Sequence, residues 1–369
     1  MAASPFMREA LAAARRVRGT TSPNPYVGAV LVRDGRVVAT GATAPYGGPH
    51  AEAAAIAAAP DARGADLYVT LEPCFPFEGK RTRPCSEAIR DAGIRRVVVA
   101  LEDPDARVAG RGIALLRHAG IEVEVGDGAD EARDLLRPYI KHRQTGLPYV
   151  IAKFAASLDG RTATATGDSK WITGEAARDL GHQQRAWVDA IMVGSGTVLA
   201  DDPSLTARPG GKLSERQPVR VILDARGRVP ATARLFKEPG TTIVATSYTA
   251  PATWKGELTA AGALVLECEA GATGINLDQL LRTLAQRSIV SIWAEGGAAL
   301  LGALFDARHV DEVWAFIAPV VIGGGGLPAV GGEGVLRVAD AWRIADPIVE
   351  SVGNDILVRG YTGDWSPGG

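Results

Sequence analysis

Residues 48–85 read GPHAEAAAIAAAPDARGADLYVTLEPCFPFEGKRTRPC. A Gly-Pro loop meets an alanine-rich helix at His50-Ala51-Glu52, a strand follows at Leu67 to Leu71, and Pro73-Cys74 comes directly after it. A second helix is predicted from about Pro84, with Cys85 just inside it. Helices and strands alternating at this spacing read as βα units of an α/β layer. On the N-terminal side, Val27 to Val32 and Val37 to Thr40 flank Asp34-Gly35, a pair that suits a tight hairpin turn. Earlier still, Ser4-Pro5 precedes an apolar stripe of Phe6, Met7, Ala10, Leu11, Ala14 and Val17, which predicts an opening helix with its cap. On the C-terminal side, a strand at Arg96 to Leu101, a helix near Gly112 to Ala119 and a strand at Ile121 to Val125 continue the alternation. The expected product is a mostly parallel sheet.

Asp130 to His142 reads as one further helix, and Thr145-Gly146-Leu147-Pro148 then breaks the pattern. A domain boundary is placed there, giving expected domains 1–145 and 146–365. Beyond it come strands at Tyr149 to Phe154, Ala190 to Val193, Val219 to Leu223, Thr242 to Ala245, Leu264 to Leu266, Ile289 to Ala294 and Glu312 to Phe316. Between them lie a helix from Glu175 to Trp187 and another capped by Asn276. The second domain is therefore also α/β, with a sheet of its own.

The length of 369 residues is enough for two or three domains at roughly 150 residues each. With 46% hydrophobic and 22% charged residues the chain is globular in composition. Its 40 basic and 42 acidic residues leave a net charge of -2, without the positive field that non-specific nucleic-acid binding needs. No nucleic-acid partner is expected. No apolar run reaches the ~18 residues of a membrane span, and three cysteines cannot build a disulfide framework, so a cytoplasmic enzyme is expected.

His50, Cys74 and Cys85 offer one imidazole and two thiolates, which fill three positions of a tetrahedral zinc and leave the fourth for water. Glu52 lies two residues from a ligand and is placed to shuttle protons to and from that water. Zinc-dependent nucleobase deaminases work on this plan, although their two-residue gap between cysteines is here ten residues, Phe75 to Pro84. In the second half, Lys153-Phe154-Ala155 continues a strand and Ser169-Lys170-Trp171 leads into a helix carrying Arg185. Gly194-x-Gly196 fails as a dinucleotide fingerprint because Leu199 occupies the place of the third small residue. Glu295-Gly296-Gly297, between a strand and a helix, is a better site for an anion.

The strings Pro23-Asn24-Pro25-Tyr26-Val27-Gly28, Gly48-Pro49-His50-Ala51-Glu52, Thr70-Leu71-Glu72-Pro73-Cys74 and Asp103-Pro104 with Ala109-Gly110-Arg111-Gly112 resemble the bifunctional deaminase-reductase family of riboflavin biosynthesis. Ser-Leu-Asp-Gly-Arg at 157–161, Ser-Lys-Trp-Ile-Thr at 169–173, Asp-Asp-Pro-x-Leu-Thr-x-Arg at 201–208 and Glu-Gly-Gly at 295–297 resemble its reductase half. The resemblance implies a cytidine-deaminase-like three-layer α/β domain followed by a dihydrofolate-reductase-like α/β domain, with zinc in the first and NADPH in the second. It implies phosphoribosylaminopyrimidine substrates and a homo-oligomer. His50, Cys74 and Cys85 would hold zinc, Glu52 would carry the proton, and Asn24, Lys80 and Thr82 would contact the first substrate. Lys153, Ser169, Arg185, Leu205, Arg208 and Glu295 would contact the second. Ala155, Trp171, Thr197, Asp201, Ala225 and the turn Gly297, Ala298, Ala299, Leu300, Leu301, Gly302, Ala303 would contact NADPH, with Lys153 and Asp201 as candidates to assist protonation. The loop between the cysteines is longer than in the family and lacks its Ser-His start. That departure keeps open a paralogue with a weakened or retargeted deaminase that acts mainly as the reductase.

Overall fold

The computed structural model describes residues 2–76, 83–271, 274–363 and 365–366. The chain divides into two compact units, Met1–Gly146 and Leu147–Gly369. In the first unit α1 (Pro5–Arg16) is followed by β1 (Gly28–Arg33), β2 (Arg36–Ala42), α2 (Ala51–Ala58), β3 (Asp66–Val69), α3 (Cys85–Asp91) and β4 (Arg96–Val99). Then come α4 (Arg111–His118), β5 (Glu122–Val125), α5 (Ala129–Leu135) and α6 (Arg137–Thr145).

The sheet order is β2-β1-β3-β4-β5. β1 runs antiparallel to both β2 and β3, while β3, β4 and β5 are parallel, so four of the five strands point the same way, in line with the expected mostly parallel sheet, and β1 alone is reversed. The cause is the hairpin at Asp34-Gly35, which enters at the sheet edge and reverses one strand before the βα alternation begins. Side chains alternate across the strands. Val30, Val32, Tyr68 and Val98 meet Met7 and Leu11 of α1 and Ala132 of α5 on one face. Ala29, Leu31, Leu67, Val69, Val97 and Val99 are fully buried on the other, and α2 packs across β1, β2 and β3. Gly41 permits this close approach, because a Cβ there would stand 2.2 Å from the Ala51 carbonyl oxygen at the start of α2. The single helix expected over Asp130 to His142 is two: Leu136 leaves helical geometry at φ -97°, ψ 7°, and Pro138, which lacks an N–H, lies in the first turn of α6.

A buried carboxylate locks this unit together. Glu72 Oε2 accepts the N–H groups of Asp103 (3.1 Å) and Gly110 (2.8 Å), and Oε1 those of Gly112 (2.9 Å) and Ile113 (3.1 Å). The segment after β3 is thereby tied to the loop after β4 and to the first turn of α4. Gly112 belongs to the same contact, since a Cβ there would sit 2.0 Å from the Pro73 carbonyl oxygen.

The second unit begins with β6 (Tyr149–Ser157), β7 (Arg161–Ala163), α7 (Glu175–Trp187), β8 (Ala190–Gly194), α8 (Ser195–Asp201), β9 (Val219–Leu223) and β10 (Thr242–Ser247). It continues with α9 (Ala252–Ala260), β11 (Leu264–Cys268), α10 (Leu277–Gln286), β12 (Ser291–Ala294) and α11 (Ala298–Asp306). The last strands are β13 (Glu312–Ala318), β14 (Leu327–Pro328), β15 (Ala345–Val352) and β16 (Asp355–Tyr361). Nine strands form one sheet in the order β11-β10-β9-β8-β12-β6-β13-β16-β15, and β14 pairs with β7 separately. Strands β11 through β13 of that order are parallel, and β16 and β15 close the edge antiparallel. β12 inserts between β8 and β6, so the strand order reverses there, and such switch points open a crevice at the strands' C-terminal ends. The Asn276 cap is present, with its side chain accepting the Gln279 N–H.

Glu72→Gln turns one acceptor oxygen into an N–H2 group facing N–H donors. A loss of about 3 kcal/mol is expected in the first unit, the scale of an unmatched buried group. All seven tryptophans fall in the second unit, so circular-dichroism loss in urea that precedes the change in tryptophan fluorescence measures this.

Candidate functional site

Two helix starts bring the metal-type residues of the first unit together. His50 is the N-cap of α2, Glu52 lies in the first turn of that helix, and Cys85 is the first residue of α3. Cys74, on the segment after β3, is held to α3 by Ser86, whose Oγ (3.0 Å) and backbone N–H (3.3 Å) both donate to the Cys74 carbonyl. His50 Nδ1 lies 3.6 Å from Cys74 Sγ and 3.5 Å from Cys85 Sγ, and the three ligand atoms are all within 4.8 Å of one another. A tetrahedral zinc with bonds of about 2.3 Å to sulfur and about 2.0 Å to nitrogen sets those ligands about 3.5 Å apart, so this donor set fits the ion in type and spacing. Hydrogen bonding from Cys85 and from His50 draws the Cys74 thiol well below its ordinary pKa, which favours the ligating thiolate. Burial, reinforced by the Cys74 charge, pushes Glu52 up to about 7.

These residues open into a cavity of about 290 Å³ that Asn24 also lines. Lys80 and Thr82 lie outside the described residues. Part of the wall comes from residues to which sequence reasoning gave no role: Asp103, Asp105 and Arg107 after β4, and Tyr139 and Arg143 on α6. Tyr139 donates its hydroxyl to Asp103 at 3.0 Å, and burial pushes that carboxyl up to about 6. Asp103 was visible only as part of a quoted motif. Tyr139 and Arg143 carry no local signal at all, since only the tertiary fold turns α6 toward this cavity.

In the second unit a cavity of about 460 Å³ gathers Lys153, Ala155, Ser169, Trp171, Thr197, Asp201, Glu295 and Gly297, the ends of β6, β8 and β12 with the 169–173 segment. Arg185 reaches it through its 2.5 Å ion pair with Glu295. Desolvation lowers the pKa of Lys153, while the Glu295 carboxylate opposes the shift. Not every predicted residue converges there. Leu205 is 3% exposed in the core, Arg208 is turned to Glu238 at 3.4 Å, and Ala225 does not line the cavity. Along α11, Leu300, Leu301 and Ala303 are buried in the core, and neither Ala298, Ala299 nor Gly302 lines the cavity. The Leu300, Leu301 and Ala303 side chains are thus committed to packing while Ala299 is exposed, and the helix offers Gly297 at its start, with its N–H on Thr197 Oγ1 at 3.1 Å. Arg178 is a lining residue that motif reading missed; its guanidinium stacks 4.5 Å from the centre of the Trp171 ring.

Residues 2–101 match the cytidine and deoxycytidylate deaminase zinc-binding region, and residues 148–358 match the RibD C-terminal domain. The riboflavin biosynthesis protein RibD of Bacillus amyloliquefaciens is 44% identical, the alignment covering 98% of this chain and 97% of that one. The Escherichia coli (strain K12) protein of the same name is 40% identical, covering 96% and 98%. Among solved structures, Acinetobacter baumannii RibD superposes with a TM-score of 0.86 at 39% identity, covering 96% of this chain and 97% of that one. A diaminohydroxyphosphoribosylaminopyrimidine deaminase/5-amino-6-(5-phosphoribosylamino)uracil reductase of Thermotoga maritima gives 0.85 at 36% identity, covering 97% of each. With a deaminase-type zinc site in one unit, a cavity at the strand switch point of the other, and relatives alike over nearly their whole length, the chain belongs to the RibD family of riboflavin biosynthesis proteins.

Proposed function

We infer that the chain catalyses two successive steps of riboflavin biosynthesis. Residues 1–145 hydrolytically deaminate 2,5-diamino-6-(5-phosphoribosylamino)pyrimidin-4-one, and residues 146–365 use NADPH to reduce the ribosyl group of the product to a ribityl chain. The observation that carries this reading is the joint presence, in one chain, of the His50, Cys74, Cys85 and Glu52 constellation and the cavity around Lys153 and Glu295. Cys74 and Cys85, placed to ligate zinc as thiolates, suit a reducing compartment, which supports a cytoplasmic setting. Among the described residues no helix is long and apolar enough to cross a membrane.

Deamination consumes water, releases ammonia and leaves a ring carbonyl where the amino group stood. His50, Cys74 and Cys85 would hold the zinc, which when bound would supply a water acidified to a pKa of about 7. Glu52, buried beside these ligands, would move two protons in turn at its carboxylate, the first from the attacking water to the ring nitrogen and the second from the hydroxyl so formed to the departing amine, which leaves as ammonia. Asn24, on the cavity wall, supplies an amide to the pyrimidine edge. In the second unit NADPH supplies a hydride to the sugar C1′. Gly297 and Thr197 at the start of α11, with Trp171 steadied by Arg178, would hold the cofactor. Lys153 Nζ, holding its proton less tightly than an ordinary lysine, delivers it to the ring oxygen released as the sugar opens. Glu295 keeps Arg185 and Lys153 facing the substrate.

The homo-oligomer forms through the edge of the nine-stranded sheet. β15 is exposed along nearly its whole length and presents Ile348 and Val349, beside Ile356 of β16, to solvent. Unpaired edges with apolar side chains are joined to a second copy or covered. Val349→Asp is expected to shift the sedimentation coefficient to a smaller species.

Mass spectrometry of products tests the main reading. The zinc-loaded chain should give deaminated product without NADPH and deaminated, reduced product with it. Chelation of zinc should abolish the first conversion and spare reduction of authentic deaminated intermediate. Reduction alone from the zinc-loaded chain would overturn the deaminase assignment. Glu52→Gln should slow deamination about 10²- to 10⁴-fold, with zinc content and reduction unchanged; undiminished deamination would remove Glu52 from its role.

A further inference from the structure

The substrate inferred for the first unit carries a phosphate dianion, and its cavity has to provide for that charge. Among the described residues lining it, Arg107 and Arg143 are the guanidinium groups, and no lysine joins them. Arg83, the described cation of the loop between the cysteines, is instead paired with Asp91. Both cavity arginines are gathered on one carboxylate. Arg107 donates Nε at 2.9 Å and Nη2 at 2.6 Å to Asp105, and Arg143 Nε stands 3.7 Å from the same group.

Arg143 is the more telling of the two. Its Nε is buried and has no hydrogen-bond partner, although its guanidinium is steadied 5.1 Å from the centre of the Tyr139 ring. A buried donor without an acceptor is costly, and an oxyanion arriving in the cavity would satisfy it. The two guanidinium groups share the Asp105 carboxylate, which Arg107 holds below its ordinary pKa. Planar guanidinium forks bind phosphate in bidentate fashion.

We propose that Arg107 and Arg143, gathered on Asp105 in the wall of the zinc-side cavity, form the subsite for the 5′-phosphate of the deaminase substrate. The positions follow from the fold, since the Glu72 carboxylate anchors the loop bearing Arg107 and α6 bears Arg143. This subsite rests on the deaminase reading of the cavity.

The test compares the phosphorylated pyrimidine with its dephosphorylated riboside in the full-length chain and in Arg107→Met, Arg143→Met and the double variant. The double variant should raise KM for the phosphorylated substrate about 100-fold with kcat within about threefold, while KM for the riboside stays near the unsubstituted value. Reduction of deaminated intermediate, measured in the same preparations, should not change. An equal loss on both pyrimidines would make the arginines structural and overturn the proposal. An unchanged KM for the phosphorylated substrate would also overturn it and send the phosphate to other residues, with Lys80 and Arg81 the next to substitute. The two readings fail differently. A chain that turns over neither pyrimidine refutes the deaminase assignment, whereas Co2+ loaded at His50, Cys74 and Cys85 has a thiolate-sensitive visible band that still ranks affinity for the two pyrimidines at this cavity.

Discussion

Four backbone N–H groups, from Asp103, Gly110, Gly112 and Ile113, converge on the two oxygens of Glu72. A carboxylate buried this deeply needs such a set of donors to replace the water it has lost. It stands two residues before Cys74, so the bonds that satisfy its charge also fix the metal-ligand segment against the loop carrying Asp103, Asp105 and Arg107. The chemistry of the first unit depends on that joint. Zinc ligands need placement within a few tenths of an ångström, and substrate-facing groups need placement relative to them. One ion does both by refusing to be left unpaired.

The second unit solves the same problem with a different anion. Asp189 Oδ2 accepts the N–H groups of Val290 and Ser291, each at 3.0 Å, and Oδ1 takes Arg216 at 2.8 Å. The entry to β8 is thus pinned to the entry to β12, and the parallel register carries that alignment to the far ends of the two strands. There Gly194 leads into α8 and Glu295 leads into α11. The cofactor-side residues Thr197 and Gly297 therefore meet because two strands start level.

Much of this was legible in sequence where a local pattern states a local fact. The Asp34-Gly35 hairpin, the Ser4 and Asn276 caps and the alternation of buried strands with amphipathic helices all have periods or turn residues that physics ties to one conformation. The zinc ligands were legible because imidazole and thiolate at helix starts are rare without a purpose. The pairing of β1 with β3 was not, because which strands become neighbours in a sheet is decided by partners distant in sequence. β15 was missed since Pro347 and Glu350 dilute its alternation, and a strand on an edge, paired on one side, tolerates both. The break at Leu136 was written in Pro138 but outweighed by an otherwise continuous helical stripe. The side chains of α11 from Leu300 to Ala303 show that a motif assigned to a ligand can owe its residue types to the core as well.

One arrangement recurs in both units: an arginine facing a cavity or predicted to meet substrate is held by a carboxylate. Arg107 sits on Asp105, Arg185 on Glu295 and Arg208 on Glu238. A free arginine loses about 2 kcal/mol of rotamer entropy when it is fixed on a phosphate. A carboxylate partner fixes the guanidinium beforehand, so less of that loss falls on binding, but it also cancels part of the positive charge the phosphate would meet. The compromise favours a carboxylate on the protein side of the fork, aspartate for Arg107 and glutamate for Arg185 and Arg208. It trades strength for geometry, which suits a chain whose first product must leave one site and be bound again at the next. A phosphate gripped by uncompensated arginines would be held most tightly by the deaminated product itself, and release from the first cavity would then limit the supply of substrate to the second.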